Sequence, residues 1–305
     1  MPVKILVTGA SGFIGGFLAE RLAQNTDLKI DATGRSHTDR FSRFPTIHYF
    51  HHDLTKPLPE QEAEVCIHCA GLADDRATPE AFALHNETAL QHLIRALPHC
   101  RLFIFMSSAS VYDFSDEQPK REPEAVLSSN LSAYGQSKLR AEELLPAGTF
   151  PAIYILRPRA VYGPGDRVLM PRLLRLICGG RLWRPRHLAS HSSLTHIENL
   201  CEAIQKILQQ QVAGRNVLNI ADTQTYDLGD VLGEIAKHYK GVHQKVNIPN
   251  QFLEVLSKWC PKVISGSALT PQALDYLTLN SVLDVSQAKA ELDYEGKWNL
   301  ADFLP

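Results

Sequence analysis

Lys4-Ile5-Leu6-Val7-Thr8-Gly9-Ala10-Ser11-Gly12-Phe13-Ile14-Gly15 carries an unbroken apolar run directly into three evenly spaced glycines. Val3 to Val7 reads as a strand buried on both faces, and Phe13 to Gln24 as a helix that opens inside the glycine segment. In such a strand-turn-helix the first glycine permits a tight turn, the second lets backbone approach a pyrophosphate, and the third packs helix against strand. The free N–H groups of the helix start then face the anion. The segment reads as a dinucleotide site, with Gly9, Ser11, Gly12, Phe13, Ile14 and Gly15 as cofactor-binding candidates.

Beyond it, short apolar runs alternate with helical segments. Lys29 to Thr33, His48 to His51, Glu64 to His68, Leu102 to Met106 and Ile153 to Leu156 read as further strands, with helices over Pro79 to Leu97 and Leu131 to Leu145. This alternation predicts an α/β fold, a Rossmann-type doubly wound parallel sheet that binds its ligand at the carboxyl ends of the strands. From about Gly163 the pattern loosens, with Met170-Pro171-Arg172 and Trp183-Arg184-Pro185-Arg186. Residues 1–165 are expected to form the dinucleotide-binding domain and 166–305 mainly a smaller, mostly helical substrate region. Helices over Ile197 to Gln210 and Leu228 to Tyr239 flank a strand over Val217 to Ile220, so the chain is expected to rejoin the first domain at about 195–224.

A chain of 305 residues with 44% hydrophobic side chains can bury a full core. A formal net charge of -2 provides no long-range field to gather nucleic acid or an anionic membrane. No apolar run approaches the roughly 20 residues that span a bilayer, and Met1 to Val7 meets the glycine turn too soon for a signal peptide. A soluble cytoplasmic protein, without nucleic-acid or membrane partners, is the expectation. The six cysteines lack the density of a disulfide framework and read as reduced. In Cys66-Ile67-His68-Cys69 the two thiols lie three apart on a strand and point to opposite faces, which favours core packing over a redox or metal pair. His187 with His191, and His48 with His51 and His52, have no accompanying carboxylate or cysteine pattern, and no metal site is assigned.

The second strand ends in Ala32-Thr33-Gly34-Arg35-Ser36. A guanidinium at that position pairs with a ribose 2'-phosphate, where a carboxylate would repel it, so Arg35 favours NADP over NAD. Asp31, inside the strand, is the competing residue for a 2'-hydroxyl. Asp53 and Leu54, after the third strand, are candidates for the adenine edge, with a turn aspartate as the alternative for Asp53.

Tyr134-Gly135-Gln136-Ser137-Lys138 sets a phenol and an ammonium on one helical face. A phenol of pKa near 10 is a poor base at neutral pH, and a neighbouring ammonium favours the phenolate. Ser108, directly after the fifth strand, lies at the same sheet edge, where its hydroxyl can hydrogen-bond a substrate oxygen.

Thr-Gly-x-x-Gly-x-x-Gly, Ser-Ser-Ala-Ser-Val-Tyr at 107–112, Tyr-x-x-x-Lys at 134 and Leu-Arg-Pro-Arg-Ala-Val-Tyr-Gly-Pro-Gly-Asp at 156–166 together resemble the extended short-chain dehydrogenase/reductases, over most of the first 200 residues. The resemblance implies a catalytic triad of Ser108, Tyr134 and Lys138, with Lys138 also holding the nicotinamide ribose. It implies further that Asn86 organises the proton path, that Ala70 and Gly71 pass beside the cofactor, and that Pro158 lies near the carboxamide. A homodimer is expected by the same analogy.

That family contains nucleotide-sugar epimerases and dehydratases as well as simple dehydrogenases. This chain has Ala160 where the sugar-nucleotide members typically have a diphosphate-binding Asn, and Ser192 where they typically have an Arg. A diphosphate underpaired in this way costs several kcal/mol unless other groups replace the contacts, and Arg172, Arg175, Arg181, Arg184 and Arg186 are candidates to do so. The segment from Leu156 to Asn199 looks more like the hydroxysteroid-dehydrogenase-like and ketone-reductase members. The expected activity is NADP-preferring interconversion of a secondary alcohol and a ketone. The alternatives are an epimerase or dehydratase with tightly held NAD(P), and a non-catalytic NADP-sensing module.

Overall fold

A seven-stranded parallel sheet organises the computed structural model, which describes residues 3–74, 76–249, 251 and 276–304. In chain order the strands are β1 (Val3–Thr8), β2 (Leu28–Gly34), β3 (Ile47–His51), β4 (Val65–His68), β5 (Leu102–Met106), β6 (Ala152–Pro158), β7 (Val161–Tyr162), β8 (Ile177–Cys178), β9 (Arg181–Pro185), β10 (Thr195–His196), β11 (Gly214–Ile220) and β12 (Lys245–Ile248). The helices are α1 (Phe13–Leu22), α2 (Pro79–Phe82), α3 (Ala89–Arg95), α4 (Ala133–Glu143), α5 (Leu169–Leu174), α6 (Ile197–Gln210), α7 (Leu228–Lys240), α8 (Ser286–Leu292) and α9 (Leu300–Phe303).

The main sheet runs β3-β2-β1-β4-β5-β6-β11. Its order reverses between β1 and β4, and a crevice opens there beyond the carboxyl ends of the strands. The strands are apolar throughout because both faces are covered. Ile5 and Val7 pack with Leu18 of α1 and Ile204 of α6, whereas Leu6 packs on the other face with Leu90 and Leu93 of α3. Each such side chain contributes about 2 kcal/mol by leaving water. Cys66 and Cys69 likewise go to opposite faces of the sheet and carry free thiols; Cys260 lies outside the described residues.

Two features depart from the sequence reading. The helix expected over Pro79 to Leu97 contains a wide π turn, Ala83–Thr88, between α2 and α3. Such turns carry one extra residue per turn and redirect a side chain, here Asn86. The region after Gly163 also holds a three-stranded sheet, β12-β9-β8, beside α5 and α7. These strands are short and half-exposed and carry Arg, Pro and Lys; Lys245–Ile248 does alternate polar and apolar residues, but over only four positions, too few to mark a strand in the sequence. Leu173, Leu182, Val231 and Ile235 form a separate apolar core there. The chain then returns to the main sheet twice, through α6 and β11 and again through α8, whose Ala288 and Leu292 join the main core. Among the described residues no helix is long and apolar enough to cross a membrane.

Candidate active site

The glycine turn closes as a cradle. Gly9 has φ +70, and a Cβ there would fall 2.6 Å from the Ala70 nitrogen, so this residue must be glycine for both conformation and space. Gly12 caps α1 without any side-chain hydrogen bond, which leaves the first N–H groups of the helix directed at the crevice. Ser11, Phe13 and Ile14 are half-buried around it, and Phe13 and Ile14 line the adjoining cavity. A shape closed to side chains and rich in unpaired donors fits a dinucleotide pyrophosphate.

At the end of β2, Arg35 is exposed, and its carbonyl accepts from His51 Nε2 at 2.8 Å. Asp31 sits mid-strand and is engaged with Lys4 Nζ at 3.5 Å and His48 Nδ1 at 3.1 Å, away from the crevice. Asp53 accepts the Thr55 N–H at 3.0 Å, the turn-aspartate arrangement. Burial raises its pKa, but the Thr55 hydrogen bonds and the charges of His85 and Arg35 bring the carboxyl below its usual range. Leu54 is buried in the core. Arg40, which no sequence motif marks, holds Glu20 through Nε and Nη2 and donates from Nη1 to the Gly12 carbonyl at 3.2 Å, bracing the cradle from behind.

Lys138, on α4, is only 5% exposed, and its Nζ donates to the Met106 carbonyl at 2.6 Å. Burial lowers its pKa to about 8, partly opposed by Cys69 and Glu142. At pH 7 it is therefore roughly nine-tenths charged. The buried His68 beside it is pushed down to about 3, by burial first and the Lys138 charge second, and stays a neutral partner of Thr8 Oγ1 at 2.7 Å. Asn86, projected by the π turn, accepts the Leu72 N–H at 2.7 Å and donates to the Leu72 carbonyl and to Ser137 Oγ. It clamps the loop of Ala70 and Gly71 above Lys138; a Cβ on Gly71 would lie 3.1 Å from Asn86 Oδ1 and 3.6 Å from Lys138 Nζ.

Tyr134, four residues before Lys138, packs its ring on Phe82 at 5.9 Å and lines the cavity. Gly135 makes this approach possible, because a Cβ there would fall 2.0 Å from the Ser110 carbonyl oxygen. The absent side chain lets α4 lie directly on the turn after β5, which brings Ser108 to the same cavity wall as Tyr134. Ser108 Oγ accepts the Ser110 N–H and donates to Ser110 Oγ, both at 3.1 Å. Beneath this turn a buried network fixes its position: Arg157 holds Glu142 through two hydrogen bonds of 3.0 and 2.6 Å, and Ser107 Oγ donates to the same carboxylate at 2.5 Å.

A cavity of about 280 Å³ opens from Ser108, Tyr134 and Pro158 towards Leu173, Leu176, Val231, Leu232 and Ile235. Ala160 and the buried Ser192 lie in its wall. Of Arg172, Arg175, Arg181, Arg184 and Arg186, only Arg172 lines it. Arg184 bonds Asn247 at 3.0 Å, Arg181 bonds Gln244 at 3.3 Å, and Arg175 and Arg186 are exposed. Among the described residues, no three His, Cys, Asp or Glu side chains are grouped to hold a metal.

A glycine cradle under a parallel sheet, with Ser108 and Tyr134 on one cavity wall and the buried Lys138 four residues after Tyr134 on the same helix, defines an NAD(P)-dependent enzyme of the extended short-chain dehydrogenase/reductase kind. The profile of the NAD dependent epimerase/dehydratase family matches residues 5–221, and the chain belongs to that family. It is similar to the sterol-4-alpha-carboxylate 3-dehydrogenase ERG26, decarboxylating, of Saccharomyces cerevisiae, 25% identical over 95% of this chain and 93% of that protein. It is similar also to the UDP-glucose 4-epimerase of Vibrio cholerae, 24% identical over 97% of this chain and 91% of the other. The solved structure of MoeE5 in complex with UDP-glucose and NAD superposes with a TM-score of 0.75 at 24% identity, covering 99% of this chain and 96% of that one.

Proposed function

We propose that this enzyme is an NADP-preferring oxidoreductase that interconverts a secondary alcohol and a ketone. The observation that carries the reading is the cavity at Tyr134. Its far wall is apolar, and it presents Ala160 and Ser192 where sugar-nucleotide relatives typically offer polar anchors. An apolar wall favours a substrate that needs no hydrogen bonds along most of its length. A bound nicotinamide dinucleotide supplies or accepts the hydride. Ser108 polarises the substrate oxygen, Tyr134 delivers or takes its proton, and Lys138 keeps a positive charge beside them. Asn86 acts by holding the Gly71 loop over Lys138. The position of Arg35, with Asp31 engaged elsewhere, supports NADP.

In this reading residues 1–165 bind the dinucleotide and the later region mainly shapes the substrate pocket, within a cytoplasmic homodimer. The test is NADPH oxidation followed at 340 nm with a panel of bulky apolar ketones. Tyr134→Phe should lower turnover at least about a hundredfold with little loss of cofactor affinity. Unchanged turnover would remove Tyr134 from the mechanism. Native mass spectrometry separates the rival: firmly retained NAD, together with epimerisation of a UDP-sugar and no net ketone reduction, would establish the epimerase instead.

A further inference from the structure

Arg159 stands two residues beyond the paired Arg157, and its side chain has no carboxylate partner among the described residues. It is 6% exposed, Nη2 donates to Ser281 Oγ, and Nε has no hydrogen-bond partner among the described residues. The guanidinium lies 4.9 Å from the Tyr276 ring and 5.4 Å from the Phe114 ring, and it lines both the main cavity and a smaller one of about 120 Å³ beside it. Asp113, on the smaller cavity, is already held by Asn130 Nδ2 at 2.8 Å and the Ser115 N–H at 2.9 Å. Burial lowers the Arg159 pKa; for Arg157 the same burial is outweighed by the hydrogen bonds it donates to Glu142, which raise its pKa.

An arginine remains charged in proteins, so burying one with an idle N–H group is unfavourable unless a bound anion completes it. The path to the reacting group is short. Ser108 bonds Ser110, Ser110 Oγ bonds Tyr276 OH at 2.7 Å, and Tyr276 packs on Arg159. Resting on the alcohol/ketone reading above, we infer that Arg159 is an anion-recognition residue in the substrate cavity. The substrate class is an amphiphilic hydroxy or oxo acid whose carboxylate lies on Arg159 and whose apolar body runs along Leu173, Leu176, Leu232 and Ile235. The apolar lining selects a carboxylate on a hydrocarbon body over a sugar diphosphate.

The experiment is calorimetric titration of decanoate, decan-1-ol and UDP into protein saturated with NADP+, and in parallel with NAD+. Decanoate should bind the wild type at least about tenfold more tightly than decan-1-ol. Arg159→Gln should bring the two within about twofold, and Arg159→Lys should retain part of the preference. Equal binding of the two amphiphiles by the wild type, no binding of decanoate, or a preference that survives in Arg159→Gln would overturn the inference. So would UDP binding that exceeds decanoate and depends on Arg159. These titrations require no turnover. A carboxylate preference in an enzyme that reduces no ketone would sink the dehydrogenase reading and leave the anion site standing.

Discussion

Replacing Lys138 by Met tests how strongly the fold resists a buried charge beside the candidate active site. The ammonium is buried, and its pKa falls from 10.5 to about 8. At about 1.4 kcal/mol per unit, the charged side chain favours the unfolded state by about 3 kcal/mol at pH 7. Between the folded and unfolded pKa values the unfolded chain binds more protons, so the wild type gains stability as the pH rises from 8 towards 10.5. About 1 kcal/mol of the penalty remains at pH 10. Lys138→Met has no such titration, and the hydrogen bond it loses to the Met106 carbonyl costs about 1 kcal/mol at either pH. Urea unfolding of the cofactor-free proteins, followed by tryptophan fluorescence, should therefore show the stability difference between variant and wild type shifting by about 2 kcal/mol between pH 7 and pH 10, with the variant relatively more stable at pH 7. Parallel stability curves would mean that Lys138 titrates as an exposed lysine does, and would refute the reasoning.

Three further outcomes are expected. Arg35→Asp should swing the ratio of kcat/KM values from NADPH towards NADH by at least about tenfold, because a carboxylate then faces the 2'-phosphate; a mutant that still prefers NADPH would acquit Arg35. Asn86→Ala, which releases the Leu72 backbone and Ser137, should reduce kcat more than it changes thermal stability, as read from initial rates beside a melting curve. Glu142→Ala should cost about 3 to 5 kcal/mol in denaturant unfolding, since it strands the Arg157 guanidinium in the core; a loss below about 1 kcal/mol would show water reaching that site.

The parts of the site that local chain geometry dictates are legible in the sequence. Gly9 and its neighbours follow a strand, Ser108 lies in the turn just after another, and Tyr134 and Lys138 share a face because a helix repeats every 3.6 residues. The parts that depend on packing are not. Gly135 is silent in sequence, since its role is to lack a side chain where the Ser110 carbonyl passes. Arg159 lies in the Leu-Arg-Pro-Arg segment at 156–159, but the difference between it and Arg157 is the presence of Glu142 beside one of them. Tyr276 reaches Ser110 from the far end of the chain, and no spacing rule connects them. The π turn at Asn86 is invisible to helical periodicity because Ala83–Thr88 contains no Gly or Pro to mark a break in the helix.

Ala160 occupies the left-handed region, with φ +44, at the cavity wall between β6 and β7. Glycine and asparagine adopt that conformation readily, whereas alanine does so at a cost of about 1 kcal/mol. The backbone thus holds open a position shaped for an amide while offering a methyl group. A single exchange to asparagine would relax the chain and at the same stroke set a polar contact in an apolar pocket. Under the alcohol/ketone reading proposed above, substrate preference and local stability pull in opposite directions at this residue: an apolar substrate body favours the strained alanine, and relief of the strain favours a polar side chain.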